Sequence, residues 1–236
     1  MANYNDQMMQ QAGMRPVALE IGSVRSAFMA KVYAVFTAGL LIASTTCYLA
    51  QVSPAVLGLG LAIFRNFWIY LLLVFGLNLG MNAVRHVPVL NMVAFVIYTI
   101  FYGLIGAPLI YVVAHDAGGP LVVLQAAGLT ALVFGGLTIW ALTTKDDLSN
   151  WGIALVVGAL LMVGVAVIGV LTHGGLGLWY AALWVVLLAG FTMYDTWMIQ
   201  RKYPTTEWMM GGIALFVDFW IMFLYIVQLL AGGRRR

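Results

Sequence analysis

Charge is what this 236-residue chain has least of. Lys, Arg, Asp and Glu together make up 8% of it, about a third of the roughly 25% usual in a soluble domain. Too few polar side chains exist to clothe a soluble exterior. No basic stripe exists either, so the formal net charge of +3 does not mark a nucleic-acid surface. Cysteine is equally scarce. Cys47 stands alone, which excludes an intrachain disulfide and a CxxC metal site; in its apolar run it should pack as a small hydrophobe. The opening "MANYNDQMMQQAGMRPVALEIGSVRS" lacks an apolar core and does not read as a cleavable signal peptide.

What remains is hydrophobic: 64% of the residues, with 26 glycines and 13% aromatics. A membrane-crossing helix takes about 20 mostly apolar residues. Seven segments qualify, at about 28–50, 67–84, 89–114, 121–143, 151–172, 176–199 and 209–231. They are separated by turn-rich or charged stretches such as "RHVP", "HDAGGP", "TTKDDLSN", "THGG" and "RKYPTTE". The expected fold is an all-α polytopic membrane protein: a polar tail over 1–27, a seven-helix membrane domain over 28–231 and a basic tail over 232–236. "GLGLAIFRNF", ahead of the second span, is a candidate extension of it. An N-terminus in the cytoplasm places Arg15, Arg25, Lys31, Arg85, Lys145, Arg201 and Lys202 on that side, against Arg65 and Arg234 to Arg236 on the other. Seven against four satisfies the positive-inside rule. The terminal arginines dissent, and a re-entrant last span would remove the conflict. Gly135, Gly136, Gly152 and Gly158 are expected to let helices approach closely.

Two acids interrupt the apolar runs: Asp195 in "FTMYDTWMI" and Asp218 in "ALFVDFWIMFLYIV". A carboxylate at the centre of a spanning helix costs about 2.5–3.5 kcal/mol on insertion scales. Such residues face a partner, a bundle interior or a wet path. At 1.5 Å per residue the two lie at depths of roughly 6 and 14 Å on consecutive antiparallel spans, so they can meet. Burial and mutual repulsion oppose double ionisation, and a pair sharing a proton titrates as a unit. The alternative is two neutral acids hydrogen-bonded to hydroxyls for packing. Arg85, ending the second span, is the candidate basic partner. Two carboxylates offer hard oxygens for Ca²⁺ but fall short of the six to eight of a tight site. His86, His115 and His173 read as loop residues. Asp147 in "KDD" reads as a solvated residue near a helix N-cap.

"KVYAVFTAGLLIA", "GLTIWALTTKDDLSNWG", "FTMYDTWMI" and "LFVDFWIMFLYIVQLL" closely resemble the Bax inhibitor-1 family (the transmembrane Bax inhibitor motif family), particularly its bacterial branch. The resemblance runs from about Lys31 to Leu230. It implies a seven-helix fold with the last helix central, no enzymatic activity, and a calcium-permeable, pH-regulated leak in which Asp195 and Asp218 form a di-aspartyl sensor. By that resemblance Ca²⁺ and protons are what the acids handle, Arg85 is a loosely matched basic partner, and a bacterial inner membrane is the location. Some relatives instead modulate a membrane-anchored ATP-dependent protease, which makes a non-conducting modulator the alternative. Where many relatives read roughly "YTxxEGL", this chain has "YTIFYGL", with Tyr102 in place of the acid. Intramembrane aspartyl proteases also carry a YD, but "LFVD" lacks the glycines that would let a substrate backbone approach.

Overall fold

The computed structural model describes residues 16–115, 118–173 and 176–234. Most of the expected N-terminal tail (1–15, including Arg15), residues 116–117 and 174–175, and the last two arginines lie outside them. Eight helices follow: α1 Gly22–Val52, α2 Pro54–Arg65, α3 Phe67–Val84, α4 Pro88–His115, α5 Pro120–Thr143, α6 Trp151–Leu171, α7 Leu178–Arg201 and α8 Trp208–Arg234. Short 3₁₀ turns at Val17–Leu19 and Thr205–Glu207 complete the regular structure, with one bridge between Pro16 and Pro204. Seven of the helices are long and apolar enough to cross a membrane; α2, at 12 residues, is not.

The boundaries follow local chemistry. Prolines open α2, α4 and α5, where their missing N–H is no loss. "GLGLAIFRNF" is divided rather than added to the second span. Asn66 leaves helical geometry and its side chain accepts the amide of Ile69 at 3.2 Å, capping α3. α1 begins at Gly22, ahead of the expected start at 28, so the polar approach to the membrane is already helical. α8 runs unbroken for 27 residues, about 40 Å at 1.5 Å per residue. It is long and apolar enough to cross a membrane, and it has no break of the kind a re-entrant hairpin would need.

The helices differ sharply in how much neighbours cover them. In the most apolar 18-residue stretch of α4, 61% of residues are buried inside the bundle, and in that of α8, 50%; for α3 and α6 the figures are 6% and 11%. α8 packs on α1, α4, α5 and α7, while α6 leans on α7 and α3 on α4. The last helix is thus central, and α4 shares the centre with it. Phe216, Leu215, Met222 and Val227 of α8 are fully buried, as are Tyr98 and Thr99 of α4.

Glycine sets the closest approaches, but not mainly where expected. A Cβ on Gly103 of α4 would lie 2.7 Å from the Ala43 carbonyl oxygen of α1, and one on Gly212 of α8 would lie 2.5 Å from the Val35 side chain. Backbones this close leave no room for a side chain. Gly152 and Gly158 do sit against Tyr194 and Leu187. Gly135 and Gly136 face open space, which corrects the expectation for them: among the described residues nothing lies within 4 Å of where their Cβ atoms would be.

On the side of the bundle that bears the α7–α8 connection, the chain is fastened by polar contacts. Trp197 donates to the carbonyl of Asp146 at 3.0 Å, and Arg201 donates to the carbonyl of Thr144. Both bonds tie the α5–α6 loop to the last turns of α7. Within that loop Asp147 accepts from the Ser149 amide (2.9 Å) and hydroxyl (2.6 Å). These bonds, with Lys202 and Arg201 as lesser contributors, hold its carboxyl below the usual range. It forms a turn with Ser149, which lies two residues before α6, instead of capping the helix itself. The Val17 amide donates to the carbonyl of Tyr203 at 2.9 Å, and the Val17 side chain is fully buried.

Candidate functional site

Asp195 and Asp218 line the same cavity. Its volume is about 330 Å³, and its walls come from α3, α4, α7, α8 and the α7–α8 connection. The route from sequence to this meeting is short. A tight connection at 202–207 reverses the chain, so α7 and α8 lie antiparallel along one another. Asp195 is six residues back from the end of α7 and Asp218 ten residues into α8, or about 9 and 15 Å along the two axes. Asp218 is 5% exposed and Asp195 half-buried.

Around the acids the wall is mainly apolar: Trp184, Leu188, Phe191, Ile213 and Val217, with Asn78, Tyr98 and Tyr203 as the polar exceptions. The Tyr98 hydroxyl lies 3.1 Å from Asn78 Oδ1 and donates to it. Tyr203, in the connection, is buried enough to raise its hydroxyl above the ordinary range, and the nearby acids add to that shift.

The packing alternative can be set against the hydrogen bonds around Asp218. If they were neutral packing elements, each would be bonded to a hydroxyl. Buried threonines here mostly bond within their own helices: Thr192 to the Leu188 carbonyl (2.9 Å), Thr130 to Ala126 (2.7 Å) and Thr99 to Phe95 (3.0 Å). Asp218 Oδ2 is buried without a hydrogen-bond partner among the described residues. A buried, unpaired carboxyl oxygen is costly unless something else, a proton, water or cation, satisfies it.

Arg85 stays outside. It caps α3, its side chain is 41% exposed, and its guanidinium lies 3.8 Å from Glu207, just before α8. Its Nε also donates to His86 Nε2 at 2.9 Å. Such a half-exposed ion pair is worth about 0–1 kcal/mol. The structure places Arg85 on the rim on the same side of the bundle as the acids, with Glu207 for its partner. Tyr102 lies deeper, fully covered, its hydroxyl 3.4 Å from that of Tyr98. His115 stacks on Tyr111 far from the acids in sequence and fold, at the other end of α4.

As a cation site the cavity is sparse. Among the described residues no three His, Cys, Asp or Glu side chains cluster as metal ligands, and two carboxylates supply fewer oxygens than a tight calcium site needs. Asn78 and Tyr98 were missed in the sequence reading. Asn78 was within reach, because the rule that singled out the acids applies to an asparagine inside "LLLVFGLNLGM" as well. Nothing distinguished Tyr98 from the other tyrosines.

Comparison with known proteins agrees with this architecture. A family model described as "Inhibitor of apoptosis-promoting Bax1" matches residues 25–236. An uncharacterized protein of Campylobacter jejuni is 29% identical over 213 residues, covering 89% of this chain and 90% of its own. "Bax inhibitor 1" of Schizosaccharomyces pombe is 27% identical over 236 residues (97% and 85%), and "Protein lifeguard 4" of Mus musculus is 27% identical over 219 residues (90% and 88%). None of these names describes catalysis.

Proposed function

The chain belongs to the Bax inhibitor-1 family of membrane proteins, and on that premise we propose that it is a calcium-permeable leak regulated by pH through Asp195 and Asp218. The observation that carries this reading is the shared cavity, with two acids from successive helices facing one apolar-walled space. Two ionised carboxylates there attract a divalent cation, which balances their mutual repulsion. A proton on the pair removes that attraction and substitutes for the ion. Ca²⁺ is the cargo, held by hard oxygens too few to trap it. The bacterial relatives and the excess of Lys and Arg on the side of residues 85, 145, 201 and 202 support a bacterial inner membrane with the N-terminus cytoplasmic.

Purified protein in liposomes loaded with a calcium dye tests this directly. Wild type should pass Ca²⁺ at a rate that changes with pH. Asp195→Asn and Asp218→Asn should each flatten that profile. Flux with the wild-type pH dependence in both variants would overturn the mechanism.

A second reading is favoured by the relatives' names, several of which describe an effect on cell death. In it the chain is a non-conducting modulator of another membrane protein, such as a membrane-anchored ATP-dependent protease, and acts through its polar N-terminal segment. Because Val17 is anchored on Tyr203, the informative deletion is residues 2–15, which leaves that anchor in place. A modulator loses its effect on its partner; a channel keeps its flux.

A further inference from the structure

The acid cavity is not the largest space in the bundle. A second cavity of about 620 Å³ shares only α4 and α8 with it and lies toward the opposite end of α4, between Cys47 and Gln51 of α1, Ile110 of α4, Val123 of α5, and Trp220 and Phe223 of α8; on α8 the two linings adjoin at Trp220 and Ile221, and exposed Tyr48 and Leu124 form the second cavity's outer wall. On α4, Tyr98 faces the acid cavity and Ile110 the second one, about 18 Å apart along the axis. Tyr102 lies between them, 3% exposed and lining neither.

Tyr102 is held from three directions. Its hydroxyl meets that of Tyr98, which lines the acid cavity. Its carbonyl accepts the indole N–H of Trp220 at 2.9 Å, and Trp220 lines the second cavity. Its ring packs edge-on against Phe216, with centroids 5.8 Å apart, and Phe216 in turn stacks on Trp220. The next residue, Gly103, is pressed onto the α1 backbone, which holds this stretch of α4 against α1. A buried indole N–H needs an acceptor, and the second lone pair of the Tyr102 carbonyl supplies it. This bond fixes the position of the indole relative to the tyrosine.

We propose that Tyr102, braced by Trp220, is the septum that closes the passage between the acid cavity and the second cavity. Ion flow therefore requires this aromatic layer to part. The septum is a property of the two cavities; its role in setting a calcium leak rests on the reading above.

The chain carries its own reporter, because its single cysteine, Cys47, lines the second cavity. A charged methanethiosulfonate, which does not cross lipid, is applied to full-length protein in vesicles of known orientation, from the side bearing residues 201–208. Wild-type Cys47 should react slowly or not at all from that side. Tyr102→Ala should raise the acid-side rate at least tenfold. Trp220→Leu, which removes the brace and leaves Tyr102 in place, should raise it as well, so the outcome does not depend on one variant folding. Tyr102→Phe keeps the ring and should seal like wild type. Ready acid-side reaction in wild type, or no increase in either opening variant, overturns the septum. Calcium flux measured in the same vesicles separates the two ideas. Faster labelling with no Ca²⁺ flux in any variant leaves the septum standing and removes the leak reading. Flux rising with labelling supports both.

Discussion

Helices α6 and α7 are consecutive, lie side by side and are of similar length, yet they are opposites. α6 is the most apolar of the spanning helices, and few of its residues are covered by the bundle. α7 is the least apolar, and it buries Thr192, Thr196, Trp197 and Ile199 while carrying Asp195. In water the more apolar helix would be the more deeply buried. Here lipid is as apolar as any core, so apolarity earns a helix no place inside. Side chains that cannot face hydrocarbon must still go inside, so the buried polar residues of α7 mark its inner face within a core that is otherwise apolar.

That contrast can be broken by moving an acid from one helix to the other. Leu161 is mid-span in α6 and 66% exposed. Leu161→Asp should cost about 2.5–3.5 kcal/mol, read as lost membrane insertion or a lowered midpoint in detergent unfolding. Asp218→Asn should leave the fold intact, since it removes a buried charge and keeps the shape. If the two variants are equally stable, the inside–outside assignment fails.

Glycine sharpens the same comparison at smaller amplitude. Gly103→Ala must push α1 and α4 apart, and overpacking of this kind costs about 1–3 kcal/mol. Gly135→Ala meets nothing and should be neutral or slightly stabilising, because alanine favours the helix by up to about 1 kcal/mol. Paired unfolding curves in one detergent would decide it.

The loop joining α5 to α6 gives the smallest effects. Trp197→Phe removes the bond from α7 to the Asp146 carbonyl and should cost about 1 kcal/mol, seen as faster amide exchange over 144–149. Asp147 adds a pH signature. Its carboxyl titrates below the ordinary carboxylate range, so its support of the turn is present above that range and disappears as pH falls through the lowered value. Exchange in the loop should therefore rise, beyond its intrinsic pH dependence, only at strongly acid pH, and Asp147→Ala should abolish that step.

Several elements were legible in advance. The seven spans follow from hydropathy alone, and the neighbouring acids from two polar letters in apolar runs. Other features were not legible. Each residue turns a helix by about 100°, so small boundary errors such as the one at α1 (Gly22 against 28) leave facing directions undetermined. This is why Gly135 was assigned an approach that Gly103 and Gly212 make. It is also why nothing in the sequence showed that Tyr102 lies between two cavities. Arg85 was placed by its position at a helix end, but its partner there depends on how the 84–88 turn meets Glu207.

By itself the sequence determined the medium, the number of crossings and the pair of acids on adjoining helices, because transfer into lipid is summed along the chain residue by residue. Only the tertiary structure decided which faces meet, that both acids open onto one cavity, and that an aromatic layer stands behind it. Those depend on helix rotation and contact, and no sum along the chain contains them.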